Sequence, residues 1–94
     1  VVVHLSEDRE GDAQPQVGFV VSKAVGNAVH RNLVKRRLRA ATASRLDMLP
    51  AHGRAVVRAL PSSAAASFAV LSADLDSGLD RAVQRLHERS GVDR

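Results

Sequence analysis

Cysteine, tryptophan and tyrosine are absent from this 94-residue sequence, and phenylalanine occurs only at Phe19 and Phe68. The lack of cysteine excludes disulfide staples, thiolate metal sites and a cysteine nucleophile, and it fits a reducing compartment such as the cytoplasm. With so few aromatics, Val, Leu and Ala must build the core, which is expected to be modest. Long hydrophobic runs are also missing. Val17 to Val21 falls far short of the roughly 20 residues that cross a bilayer, and no signal-peptide pattern opens the chain. The expectation is a soluble, cytoplasmic protein without a membrane partner. A chain of this length has room for one hydrophobic core, so residues 1–94 are read as a single domain.

A third absence carries more information. Acids cluster at Glu7, Asp8, Glu10 and Asp12 and return from Asp47 onward, but none lies between Ala13 and Leu46. That segment holds Lys23, Arg31, Lys35, Arg36, Arg37, Arg39 and Arg45, half of the 14 positive residues. A formal net charge of +4 is small enough to reflect solubility alone. Its concentration in one segment points instead to a polyanionic partner.

The chain opens on Val1-Val2-Val3-His4-Leu5, a β-branched run that reads as a strand. No initiating methionine or polar lead-in stands before this run, which suggests a fragment. Ser6 to Pro15 is polar and acidic and reads as a hairpin loop returning to a second strand, Gln16 to Lys23. Both faces of that strand are largely apolar, so a central position is expected. Gly26-Asn27 signals a turn into a helix from Ala28 or Val29 to Leu49, stopped by Pro50. Arg54 to Leu60 reads as a third strand ended by Pro61, and Ser62 to Ala66 as loose connection. From Ser67, a candidate N-cap, Phe68, Leu71, Leu75, Leu79, Ala82 and Leu86 recur at helical spacing. Asp74, Asp76, Asp80, Arg81 and Arg85 fall on the other side of this second helix, whose apolar stripe is expected to pack on the sheet. The order β-β-α-β-α predicts an α+β fold, a two-layer sandwich of helices over a small, mainly antiparallel sheet.

On the first helix, Arg31, Lys35 and Arg39 form an i, i+4, i+8 row, with Asn32 and Arg36 beside it. Leu33, Val34, Leu38, Ala41 and Met48 lie on the opposite arc and can anchor the helix. Arg37 falls inside that arc and is expected to snorkel outward. Like charges four residues apart weaken an isolated helix by a few tenths of a kcal/mol per pair, and no acid before Asp47 offsets them. A phosphate backbone would, since arginine forks bind two oxygens and lysine supplies a point charge. The competing reading is a solvated helix face, although such faces usually mix both signs. No aromatic residue interleaves the row, so backbone and shape recognition is expected rather than base stacking. Gly26-Asn27 can be a phosphate nest or simply the turn that starts the helix.

Little else in the sequence suggests chemistry by the protein itself. His4, His30, His52 and His87 lack close ligand spacing. Asp74, Asp76 and Asp80 read as a solvated helix face rather than a Mg²⁺ site, and no serine has an identifiable nucleophile motif. No catalytic and no metal-ligating residue is expected.

Taken together, Val17-Gly18-Phe19-Val20-Val21-Ser22-Lys23, Gly26-Asn27-Ala28-Val29-His30-Arg31-Asn32, and Lys35-Arg36 with Arg39 resemble the protein component of bacterial ribonuclease P. Val56-Val57-Arg58-Ala59-Leu60-Pro61 resembles that family's third core strand, and Ser67 to Leu86 its last helix. The resemblance implies a ribosomal protein S5 domain 2-like fold with a left-handed β-α-β crossover, where general rules favour the right-handed one. It implies a subunit that assists a catalytic RNA in removing 5′ leaders from precursor tRNA, with Mg²⁺ bound chiefly by the RNA. The implied partners are that RNA and precursor tRNA, and the protein is expected to be monomeric without RNA. The RNA-binding residues implied are Lys23, Gly26, Asn27, Arg31, Asn32, Lys35, Arg36 and Arg39. Leu33 stands where the family commonly has Arg, so that contact is either lost or taken over by Arg37. The family's N-terminal basic segment and first helix have no counterpart here, and His4 stands roughly at a position of the leader-binding groove. A structural RNA-binding module of ribosomal-protein type is the alternative, and a stand-alone metal nuclease a third.

Overall fold

The structure is a computed structural model describing residues 1–11 and 13–92, so Asp12 of the first acidic cluster lies outside the described residues. Three strands, β1 (Val2–Glu7), β2 (Gln16–Val20) and β3 (Gly53–Arg58), and two helices, α1 (Ala28–Ala43) and α2 (Phe68–Val92), follow in the order β1-β2-α1-β3-α2. The α+β architecture is as the sequence predicts. The parallel pairing of β2 with β3 agrees with the β-α-β crossover that the resemblance implies, whereas the expected β1–β2 hairpin is not formed. The sheet runs β1-β3-β2, with β1 antiparallel and β2 parallel to β3. It is therefore mixed, with one pair of each sense.

Two expectations are corrected by this order. Ser6 to Pro15 does not close a hairpin, because β3 lies between β1 and β2. Nor is β2 central; that position belongs to β3, whose inward residues Ala55 and Val57, with Ala59 just past its end, are all at most 3% exposed. The physical reason lies in the connections. β2 is followed by a helix long enough to carry the chain across and return it parallel, as parallel neighbours require. β3 can then use one edge for β2 and its other for β1. Register keeps the apolar face continuous: Leu5 stands opposite Ala55, Val17 opposite Ala55 on the other edge, and Phe19 opposite Val57. The loop after β1 is held by other means, with Asp8 N donating to His52 O (2.9 Å) and His52 N to Ala13 O (3.0 Å).

α2 begins as expected, Ser67 Oγ accepting from Val70 N at 3.2 Å. Leu71, Leu75, Leu79, Ala82 and Leu86 are buried, joining Val3, Leu5, Ala55 and Val57 in one core. Each fully buried leucine contributes about 1.5–3 kcal/mol. Phe68, expected in the stripe, is instead 47% exposed at the helix start. Gly78 explains how closely α2 can lie on β1: a Cβ there would come within 2.8 Å of Val3 Cγ2. The segment before α2 is a 3-10 turn, Pro61–Ala65, rather than loose chain.

α1 stops at Ala43, earlier than the periodicity predicts, and a 3-10 turn follows over Leu46–Met48. Polar side chains explain the early stop by competing for the last carbonyls. Thr42 Oγ1 donates to Leu38 O (2.7 Å), Ser44 Oγ to Ala41 O (3.1 Å) and Arg45 Nη1 also to Ala41 O (2.6 Å). Leu46 and Met48 continue the apolar rhythm without continuing the helix.

Candidate nucleic-acid interface

The entry to α1 is built from the first residues that the sequence singles out. After β2 a 3-10 turn spans Lys23–Val25, with Val25 buried and Lys23 exposed. Gly26 follows at φ 151°, a conformation that L side chains rarely adopt, and a Cβ there would lie 3.0 Å from His30 Cβ. Glycine is thus required by backbone and space alike. Asn27 then caps the helix: its side-chain oxygen accepts from His30 N at 3.0 Å, and its carbonyl accepts the first helical bond from Arg31 N at 2.9 Å. Gly26 and Asn27 therefore have a structural task independent of any ligand. Asn27 keeps its amide N–H groups for other partners.

Beyond the cap, one side of α1 is anchored. Val34, Leu38 and Ala41 are at most 1% exposed, and Leu33 is half-buried. The other side carries Asn32, Arg36 and Arg39 exposed, with Arg31 and Lys35 half-buried along the same ridge. Among the described residues the ion pairs are the Val1 amine with Asp74, Arg9 with Glu7, Arg45 with Asp76, and Arg54 with Asp8. None involves Lys23, Arg31, Lys35, Arg36 or Arg39. Arg31 Nε is buried with no hydrogen-bond partner, so the fork closest to the cap holds a donor that the fold leaves unanswered.

Two cations of the same acid-free segment behave differently. Arg37 does not snorkel to solvent; its Nη1 donates to Ala66 O at 3.0 Å, tying α1 to the turn before α2. That bond corrects the expectation of outward snorkelling, since a carbonyl at the end of a 3-10 turn lies within reach of the guanidinium. It also engages one nitrogen of the guanidinium that was one of two alternatives for the contact missing at Leu33. Arg45 forms a two-pronged contact with Asp76, of which the Nη2 to Oδ2 bond is 3.1 Å. Hydrogen bonding to Arg45 holds the Asp76 carboxyl below its ordinary range, and the same bond raises Arg45. The signal for an inward role of Arg37 was its place in the apolar arc. No sequence signal marked Arg45, whose partner is 31 residues away.

The domain is thus a small α+β fold in which α1 is clamped by its apolar side and carries on the other a row of cations with no ion pair among the described residues. Comparison with known proteins narrows this. The sequence model of the family described as Ribonuclease P matches residues 1–83. The ribonuclease P protein component of Acidothermus cellulolyticus is 52% identical over 84 residues, covering 89% of this chain and 70% of that protein. That of Mycolicibacterium vanbaalenii is 47% identical over 92 residues, covering 98% and 74%. Among solved structures, the Staphylococcus aureus RNase P protein superposes with a TM-score of 0.75 at 28% identity, over 85% of this chain and 72% of that one. The RNase P protein from Thermotoga maritima, at 24% identity and a TM-score of 0.71 over 84% and 76%, shares the fold. The chain belongs to the ribonuclease P protein component family.

Proposed function

We propose that this chain is the protein subunit of a ribonuclease P holoenzyme, binding the catalytic RNA and assisting Mg²⁺-dependent removal of the 5′ leader from precursor tRNA in the cytoplasm. The observation that carries the reading is the α1 ridge. Arg31, Lys35, Arg36 and Arg39 lie within three turns without an acid partner among the described residues. Arginine forks at that spacing match phosphate oxygens along a folded RNA. Asn32 and the Asn27 amide would add neutral hydrogen bonds, and Lys23 a point charge where the chain enters the helix. Gly26 would serve by holding that entry in shape. Leu33 would contribute packing in place of a charge, since Arg37 is engaged at Ala66.

Bond cleavage is assigned to the RNA. Mg²⁺ takes oxygen ligands in octahedral array, usually one or two carboxylates with phosphates. Among the described residues no three His, Asp or Glu side chains gather in that way. Asp74 and Asp76 of α2 each already face a cation. The donor set of the described residues does not suit Mg²⁺, which supports the reading in which the RNA phosphates would hold the metal. The protein's contribution is then electrostatic: it neutralises phosphate repulsion that Mg²⁺ would otherwise have to screen. Before it meets RNA the chain is expected to be monomeric.

Reconstitution tests this reading. Added to the cognate ribonuclease P RNA, the protein should lower the Mg²⁺ concentration needed for precursor-tRNA cleavage. No shift in the Mg²⁺ requirement, together with stable association with ribosomal RNA, would favour a structural module of ribosomal-protein type instead. Cleavage by protein freed of all RNA would overturn the assignment of chemistry to the partner.

A further inference from the structure

Arg37 stands among the cations of α1, yet it is half-buried and its Nη1 donates to Ala66 O, 29 residues further along the chain. The carbonyl it meets is itself held. Ala66 N donates to Ser63 O (3.3 Å) and Ser63 N to Leu60 O (2.9 Å), and the next residue, Ser67, caps α2 by accepting from Val70 N. The Pro61–Ala65 turn also packs against both α1 and the Lys23–Val25 turn through which the chain enters that helix. One guanidinium therefore joins the middle of α1 to the junction that supports its entry and begins α2. Apolar packing is non-directional. A hydrogen bond to a fixed acceptor is directional, and so it restrains the rotation of the helix about its own axis.

The kind of acceptor matters as much as its place. Arg45 is tied by the Asp76 carboxylate, which offsets its charge. Arg37 is tied by a neutral carbonyl, and no ion pair among the described residues includes it. Its surroundings hold no carboxylate: none lies in residues 13–46 and none between Asp47 and Asp74, so α1, both turns and the start of α2 are all free of acids. A carbonyl restrains the guanidinium without cancelling it, and the full positive charge stays next to Arg36 in the field of the ridge. Leu33, one turn earlier on the same helix edge, spares Arg37 a like charge at i, i+4.

We propose that Arg37 is a positioning residue for RNA binding: without itself contacting phosphate, its bond to Ala66 sets the rotation of α1, so that Arg31, Lys35, Arg36 and Arg39 meet the RNA backbone already in place. This rests on the RNA-binding reading of α1. Ordering achieved before association lowers the cost of binding. Loss of the bond should therefore weaken binding without removing a contact that releases counterions.

The test is binding of the full chain to ribonuclease P RNA over a salt series, below the melting temperature of every protein compared. Arg37→Leu keeps apolar bulk and removes the donor, and Arg36→Gln serves as the control for a phosphate contact. R37L should raise Kd by about three- to tenfold, the factor to which a hydrogen bond of ordinary net strength corresponds. That factor should be the same at every salt concentration, leaving the logarithmic slope at its wild-type value, whereas R36Q should flatten the slope by about 0.7 to 0.9 units. R37K, which retains a charged donor, should bring Kd back toward wild type. Flattening by R37L equal to that of R36Q would make Arg37 a phosphate contact and overturn the proposal. A wild-type Kd for R37L at every salt concentration, whatever its melting temperature, would reduce the bond to an architectural one, and a Kd for R37K as weak as that of R37L would separate the loss from the donor; either result overturns the proposal while a flattened R36Q keeps the α1 reading. Wild-type binding by R36Q and R37L alike would overturn both. Should R37L fail to fold, Arg37→Gln, shorter and uncharged, carries the same expectations.

Discussion

The two ends of α1 are made from the same kinds of residue and treat them oppositely. From Arg31 to Arg39 the cations on the outer ridge find no acid among the described residues, and one guanidinium nitrogen, Arg31 Nε, is buried unanswered. From Thr42 to Arg45 each polar side chain is turned inward: the hydroxyls of Thr42 and Ser44 and the guanidinium of Arg45 all reach backbone carbonyls, and Arg45 also takes Asp76. Charge that serves the architecture has a partner inside the fold. Charge without one is, on the proposed reading, available to a partner outside it. The distinction separates Arg37 and Arg45 from their neighbours, although all share one acid-free stretch of sequence.

That comparison can be broken from its foundation upward. The largest expected effect is at Leu38, fully buried beneath the ridge. Leu38→Ala should cost about 2–5 kcal/mol, a large part of the stability of so small a domain, and chemical denaturation monitored by circular dichroism should show it. RNA binding would then be lost through unfolding even though no cation has changed. A denaturation midpoint like that of the wild type would mean that the helix is not clamped by this side.

A smaller loss is expected at the cap. Asn27→Ala removes the acceptor for His30 N and should destabilise by about 1 kcal/mol, or roughly 4–8 °C in melting temperature for a domain of this size. Asn27→Asp keeps an acceptor and should restore the melting temperature. If both variants melt like the wild type, the observed cap contributes nothing and the start of α1 is held by packing alone.

The smallest stability effect concerns the inward end. The Asp76 carboxyl is lowered by Arg45, so its charged form favours the folded state. The contribution is present above the unfolded pKa of about 3.9 and is lost as pH falls through the lower folded value. Asp76→Asn should therefore melt slightly earlier than the wild type near neutral pH. The difference should close in acid as the wild-type carboxyl itself is protonated. Because the pair is exposed, the gap is small and should shrink further in salt. A gap that widens on acidification would contradict the assigned direction.

How much of this was legible in the sequence differs from element to element. The alternation of Ala55, Val57 and Ala59 marked β3 correctly, and Leu71, Leu75 and Leu79 marked α2, because local periodicity is set by the geometry of each element alone. Strand order was not so written. Neighbours in sequence usually neighbour in space, and nothing in Ser6 to Pro15 announced that β3 would insert between β1 and β2. The end of α1 was obscured for a related reason. Leu46 and Met48 prolong the apolar rhythm, whereas the competition of Thr42, Ser44 and Arg45 for backbone carbonyls becomes visible only in three dimensions. At the site itself, the i, i+4, i+8 spacing placed Arg31, Lys35 and Arg39 on one ridge. Their lack of internal partners depended on residues far away, as did the commitment of Arg37 to Ala66.

The most direct measurement compares salt slopes for ribonuclease P RNA between variants of the two ends of α1. The ridge variant R31Q/R36Q/R39Q should flatten the slope by about 2 to 3 units while melting no earlier than the wild type, whereas Arg45→Gln should leave the slope unchanged. Equal slopes in the ridge variant and the wild type, or equal flattening by Arg45→Gln, would contradict the division between outward and inward charge.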